Sequence, residues 1–325
     1  MFLIDFHIFL IELEDLTQHQ SELASKRLES KNGDLEITKI IVLSFAQDPK
    51  CPRCDSSALM RWGKERGLQR YRCRSCTRTF NPLTGTPLTR LRHKDKWLAF
   101  ADHLKAGSTL EESAQVLGVH RNTAFRWRHR FLDMPKDERA ASLAGIVEAD
   151  ETYFLESQKG TKSPMPRKAR SRGGKGTKRG LSKEQIPVLI CRDRNGNTAD
   201  FVLEDGGAQA IARVLAPIVD LDSVLCTDGG KALVNAIRNL GVVHKQINLS
   251  KNIRVLEGVY HVQNVNAYDS RLKNWSMRFH GVASKYLPSY LGWHRMLDRL
   301  GNGATSRDIF AAALGVDSNQ RLMMI

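Results

Sequence analysis

Cys51-Pro-Arg-Cys54 and Cys73-Arg-Ser-Cys76 are two CxxC knuckles with 18 residues between them. Each tight turn aims two thiolates at one ion, and two such turns complete a tetrahedral shell with no open position. The expected ion is Zn²⁺ in a structural role: it folds the module and takes no part in chemistry. The remaining two of the six cysteines, Cys191 and Cys226, stand alone in apolar runs, so they read as buried thiols of a reducing compartment and not as a disulfide framework. A second set of residues carries oxygen ligands. Asp150 lies in the strand-like run Gly145-Ile-Val-Glu-Ala-Asp-Glu-Thr-Tyr-Phe154, and Asp228 ends Ser223-Val-Leu-Cys-Thr-Asp and is followed at once by two glycines. A lone aspartate at a strand end is usually a cap or turn residue. Two strands that deliver carboxylates to one end of a sheet suit a hard divalent cation such as Mg²⁺.

These residues need elements to hold them. Around the cysteines the filling is basic and aromatic (Arg53, Arg61, Trp62, Arg70, Tyr71, Arg72), as expected of a zinc ribbon. Downstream, Thr109 to Phe131 has the pattern of two helices around a glycine turn. Leu110, Ala114 and Leu117 share one face, Gly118 permits the left-handed turn, and Val119 plugs the angle between the helices. The second helix, from near His120, offers Arg121, Asn122, Arg126, Arg128 and Arg130 as candidate DNA contacts, with Ala124, Phe125, Trp127 and Phe131 for packing. Early residues of such a helix reach base edges and later cations hold phosphates. The stretch Asp95 to Gly107 supplies a supporting helix. An ordinary helical hairpin with a basic face is the plainer alternative.

From Gly145 the chain is strand-rich. Ile186 to Arg192, a turn at Arg194-Asn-Gly-Asn197, and Thr198 to Leu203 follow the Asp150 strand, and a helix around Ala208 to Pro217 leads into the Asp228 strand. The order strand, strand, strand, helix, strand, helix matches a ribonuclease-H-like core of three antiparallel strands, a crossover helix and a further parallel strand. Between Lys159 and Lys183 the chain is dense in Lys, Arg and Gly, with nothing to bury. It reads either as a solvated hairpin tip or as a phosphate-contacting arm, with Lys168, Arg170 and Arg172 as the candidate contacts.

Composition points to the same partner. Fifty Lys and Arg against 35 Asp and Glu leave a formal charge of +15, which favours a polyanion because each cation set against a phosphate releases condensed counterions. Nucleic acid is the first expectation and an acidic membrane surface the second. The apolar start MFLIDFHIFLIE lacks a basic leading region and a small-residue cleavage site, so secretion is not expected. No later stretch approaches the roughly 20 apolar residues of a spanning helix, and a cytoplasmic protein is expected, with no membrane partner.

Taken together, the ribbon, the helix-turn-helix, VEADETYF, the basic loop, CTDGG, Tyr260-His-Val-Gln-Asn-Val-Asn-Ala-Tyr-Asp-Ser-Arg-Leu-Lys273 and Gly281-Val-Ala-Ser-Lys-Tyr-Leu-Pro-Ser-Tyr-Leu-Gly-Trp293 resemble the zinc-ribbon insertion-sequence transposases of the ISXO-like group. The resemblance spans roughly residues 50 to 300. It implies a multidomain α+β chain: an N-terminal zinc ribbon, a helix-turn-helix and a ribonuclease-H-like α/β catalytic core with a DDE-type triad for Mg²⁺ or Mn²⁺. Asp150 then stands at the first triad position and Asp228 at the second. The third falls on Asn266, where many DDE enzymes carry Glu; one branch of the group carries Asn there with a lysine seven residues on, here Lys273. Asp269, one helical turn beyond Asn266, offers a further carboxylate at a position where relatives more commonly have His. The implied substrates are double-stranded transposon ends and target DNA, acted on by a homodimer or higher multimer at the nucleoid of a prokaryotic cytoplasm.

The expected divisions are a leader of unassigned role at 1–45, the ribbon at 46–90, the helix-turn-helix domain at 91–135, the catalytic domain at 145–300 and a tail at 301–325. Two competing functions share these features. A decayed copy or regulator keeps the DNA-binding modules and binds without cutting, and a ribonuclease-H-like nuclease cuts without joining.

Overall fold

A computed structural model describes residues 16–160, 174, 176–177, 182–248 and 251–316, in two compact units: one from the first 131 residues together with 305–325, the other from 132–304. The proposed arm residues Lys168, Arg170 and Arg172 lie outside the described residues.

In the first unit, helix α1 (Gln18–Gln47) starts at a capping box in which Thr17 and Gln20 satisfy each other's backbone donors. Its Ile37 and Ile41 are buried, and Phe45 packs on Tyr71 and Phe80 at centroid distances of 4.9 and 6.0 Å, so this helix is part of the ribbon's core. The ribbon is a three-stranded antiparallel sheet of β1 (Leu59–Glu65), β2 (Leu68–Cys73) and β3 (Thr79–Phe80). Arg66 and Gly67, both with positive φ, make the two-residue hairpin between the paired Glu65 and Leu68, the turn whose twist matches that of the strands.

Three helices follow: α2 (Trp97–Lys105), α3 (Leu110–Leu117) and α4 (Arg121–Phe131). Thr109 and Glu112 form a second capping box at the start of α3, and Gly118 closes it in the left-handed conformation. Trp97, Phe100, Trp127 and Phe131 are buried between the helices. The sequence reading leaves residues 301–325 as a tail. In the structure helix α9 (Ser306–Ala313) inserts Phe310 beside Trp97 and Phe131, both at 6.0 Å, and so completes the core of the helix-turn-helix.

The second unit is built on a five-stranded sheet in the order β6-β5-β4-β7-β8: β4 (Ile146–Leu155), β5 (Gln185–Asp193), β6 (Thr198–Val202), β7 (Val224–Thr227) and β8 (Val243–Gln246). The first three form an antiparallel meander, and β7 and β8 run parallel to β4. This is the ribonuclease-H-like order, with one more parallel strand than the sequence suggested. Side-chain alternation divides the sheet into two faces. Val147, Ala149, Leu189 and Cys191 pack with α5 (Ala208–Leu215) and α6 (Lys231–Leu240), while Val188 and Ile190 pack with α7 (Gln263–Met277) and α8 (Leu287–Leu300). Gly292 lets α8 approach closely, because a Cβ there would lie 2.4 Å from Lys136 Cα.

Candidate active site and DNA-binding elements

Strand alternation puts Glu148 and Asp150 on the face covered by α7 and turns Glu151 to the other. β4 and β7 are hydrogen-bonded neighbours in parallel register, with Glu148 opposite Cys226. Asp150 and Asp228 each lie two residues beyond that pair, so the chain delivers them side by side at the same end of the sheet. Of the two glycines after Asp228, the first is required by geometry. Gly229 has φ +90° and no room for a Cβ beside Gln246, and the Gly230 amide donates to Asp228 Oδ1 at 3.0 Å. Burial, reinforced by the negative charge of Asp228 and to a lesser degree of Asp269, pushes the Asp150 carboxyl up to about 6. Burial also raises Glu151, again with Asp228 contributing. Glu151 Oε2 and Asp228 Oδ1 both lie within 3.6 Å of the position a Gly230 Cβ would take. Glu151 was not singled out from the sequence.

Asn266, Asp269 and Lys273 follow one another at helical spacing along one side of α7. Asn266 is half-buried. Lys273 Nζ contacts Asp269 Oδ2 at 2.7 Å, and the other oxygen, Asp269 Oδ1, is buried with no hydrogen-bond partner. Lys273 is therefore engaged with Asp269 as well as standing at the edge of the carboxylate group.

The helix that carries these residues is held by a side chain the sequence reading passed over. Glu148 is fully buried. Its Oε2 accepts from the backbone amides of Asn264 and Val265 at 2.7 and 2.9 Å, in the first turn of α7, and its Oε1 accepts from Asn264 Nδ2 at 3.0 Å. Arg194 from the β5–β6 turn contacts Oε1 at 2.5 Å, and His261 Nδ1 lies 3.3 Å away. A carboxylate at a helix N-terminus satisfies orphan amide donors and meets the positive end of the dipole. The signal was present in the sequence: Glu148 precedes Asp150 by two residues and so shares its face.

The four cysteines converge. Cys51 Sγ and Cys76 Sγ are 3.6 Å apart, as are those of Cys54 and Cys73, close to the edge of about 3.8 Å expected for a tetrahedron with Zn–S near 2.3 Å. Among the described residues, these are the only three or more Cys, His, Asp or Glu whose ligand atoms all lie within 4.8 Å of one another. The Cys76 amide, 3.5 Å from Cys73 Sγ, with the Ser75 amide, lowers the Cys73 thiol to about 6, which favours the thiolate a metal requires.

On α4, Arg121, Asn122 and Arg126 are exposed, and Arg121 reaches Glu111 at 3.3 Å. Arg128 requires a correction: it is 1% exposed and donates to the Ser108 carbonyl at 2.6 Å, so it ties α4 to the loop before α3 and presents nothing to DNA. Arg130 is half-buried and donates to the Thr89 carbonyl at 3.1 Å. The sequence pattern counted both as surface cations because arginine is rarely buried without a partner, and here backbone carbonyls supply one. No described helix is long and apolar enough to cross a membrane.

Comparison with known proteins bears on both units. Residues 142–293 match the ISXO2-like transposase domain and residues 90–141 a homeodomain-like domain. An uncharacterized protein in transposable element ISH50 of Halobacterium salinarum is 28% identical over 254 residues, covering 74% of this chain and 82% of that protein. Among solved structures, a simian T-cell lymphotropic virus intasome in complex with PP2A regulatory subunit B56 gamma aligns at 12% identity and TM-score 0.28, over 61% of this chain and 68% of that one. A pre-cleavage Mos1 transpososome aligns at 13% and 0.19, over 67% and 78%. By the domain matches, residues 142–293 belong to the ISXO2-like transposase domains, and residues 90–141 to the homeodomain-like domains.

Proposed function

We propose that this chain binds the terminal repeats of an insertion sequence and catalyses metal-dependent strand cleavage and strand transfer. The observation that carries the reading is that Asp150 and Asp228 each lie two residues beyond the in-register pair Glu148–Cys226, at one end of a ribonuclease-H-like sheet, in a domain matching the ISXO2-like transposases. The residues fit divalent cations. Asp150 is held at a raised value by burial and a like charge, a condition that a bound cation relieves, and Asp269 Oδ1 is an orphaned buried acceptor close by. Asp150 and Asp228 would hold Mg²⁺ or Mn²⁺ together with the polar side of α7. When bound, such ions supply Lewis acidity that activates a water or a 3′-hydroxyl and neutralises the scissile phosphate.

The chain's own residues do the rest. Glu148 fixes the first turn of α7 against β4, which would hold Asp269 and Lys273, whose charges act on Asp150, and Asn266 on the same side of the helix. Lys273 supplies a cation at the rim for a phosphate. The Cys51, Cys54, Cys73 and Cys76 set would hold Zn²⁺ to fold the ribbon. Arg121, Asn122 and Arg126 would meet DNA along the exposed side of α4, with Lys168, Arg170 and Arg172 of the basic loop as further phosphate contacts. Action on two transposon ends calls for a homodimer or higher multimer, in the compartment that holds the DNA, the cytoplasm of a prokaryote.

A binding-only reading is favoured by one observation, the neutral Asn266 at the third triad position. Cleavage separates the two. Purified zinc-loaded protein, given a labelled duplex carrying the element's terminal repeat and Mn²⁺, is expected to nick at the repeat boundary, and Asp150→Asn is expected to bind without nicking. Equal absence of nicking in both proteins, with salt-sensitive binding retained, overturns the enzymatic reading.

A further inference from the structure

We infer that Asp269, and not Asn266, supplies the third anionic metal ligand of this site, so that the carboxylate triad is Asp150, Asp228 and Asp269. The inference rests on the catalytic reading above and assigns the site's composition. Three observations support it. Asp269 lies one helical turn after Asn266, on the side of α7 whose first turn is fixed to β4 by Glu148. Its Oδ1 is buried without a hydrogen-bond partner, an arrangement that costs free energy unless something occupies the position. Its Oδ2 is held by Lys273 at 2.7 Å, which balances the carboxylate's charge.

Asn266 offers only a neutral carbonyl, whereas divalent cations of this class are held by one or two carboxylates plus waters and substrate phosphates. A cation on Asp269 would compete with Lys273 for this carboxylate and free the ammonium for a DNA phosphate.

The test is Mn²⁺ binding by the full chain with zinc bound, followed by the paramagnetic resonance of free Mn²⁺, in parallel for Asp150→Asn, Asp228→Asn, Asn266→Ala, Asp269→Asn and Asp269→Glu, each with a recorded melting temperature. The expected result is a loss of Mn²⁺ affinity of roughly tenfold or more in Asp150→Asn, Asp228→Asn and Asp269→Asn. Asn266→Ala should change it by less than about threefold, and Asp269→Glu, which keeps the carboxylate on a longer arm, should recover part of the loss. If Asp150→Asn and Asp228→Asn weaken binding while Asp269→Asn does not and Asn266→Ala does, the assignment of Asp269 fails and the catalytic reading stands. If neither Asp150→Asn nor Asp228→Asn alters Mn²⁺ binding, both fail together.

Discussion

Burial and the neighbouring Asp228 charge raise the Asp150 carboxyl to about 6 from an ordinary 3.8. Below about pH 4 the group is neutral in the folded and unfolded chain alike. Between about 4 and 6 the unfolded chain releases its proton first, so the metal-free fold loses stability as pH rises, and above about 6 the full penalty is present. Asp150→Asn removes the penalty. In buffer free of Mg²⁺ and Mn²⁺ at neutral pH it is expected to be about 1–3 kcal/mol more stable than the parent by urea denaturation, with the difference shrinking toward pH 4. A less stable variant, or a difference independent of pH, would contradict the electrostatic account. At this scale Asp150, Asp228 and the cysteines were legible because each stands in a short motif whose geometry is local. The burial of Arg128 and the fixing role of Glu148 were not, because both depend on partners distant in the chain: Ser108 in one case, and Asn264, Val265 and Arg194 in the other.

Helix α7 is the element on which the site depends, and its start is set by a carboxylate from another strand. None of its first-turn residues is acidic, and no side-chain cap comes from Val262 at its N-cap position. Glu148 provides both functions from β4. Glu148→Ala leaves the Arg194 guanidinium and two helix amides without their buried acceptor and is expected to cost about 3–5 kcal/mol. Glu148→Gln keeps the shape and one acceptor oxygen and is expected to cost less, while still lowering the cleavage rate by displacing Asn266, Asp269 and Lys273. Chemical denaturation and cleavage kinetics measured on both variants check this; equal stability of Glu148→Ala and the parent would refute the anchoring role. The meander and the Asp228 strand were readable because their apolar runs are bounded by clear turns. Strand β8 was not: Val243-His-Lys-Gln is a short, half-exposed edge strand without a buried alternation to mark it.

At the scale of the whole chain, the first and last described helices both contribute to the DNA-binding unit. Helix α1 lends Phe45 to the ribbon's aromatic cluster, and α9 places Phe310, fully buried, against Trp97 and Phe131 beneath the helix-turn-helix. An eight-residue helix rich in alanine gives little periodic signal, so the sequence left it as a tail; its role comes from long-range packing. Phe310→Ala is expected to destabilise this unit by about 3–5 kcal/mol. It should weaken binding to the terminal repeat even though Phe310 touches no DNA, and thermal unfolding with gel-shift titration measures both. Unchanged binding and stability would show that α9 is dispensable to the unit.

Strand transfer tests the central claim most directly. Purified zinc-loaded protein is incubated with a labelled pre-cleaved terminal repeat, a target plasmid and Mg²⁺ or Mn²⁺, alongside Asp228→Ala. The account expects joined product with the parent and none with Asp228→Ala, while both bind the repeat equally. Binding by both proteins without joined product under either metal would contradict it and leave a DNA-binding protein on a ribonuclease-H-like scaffold.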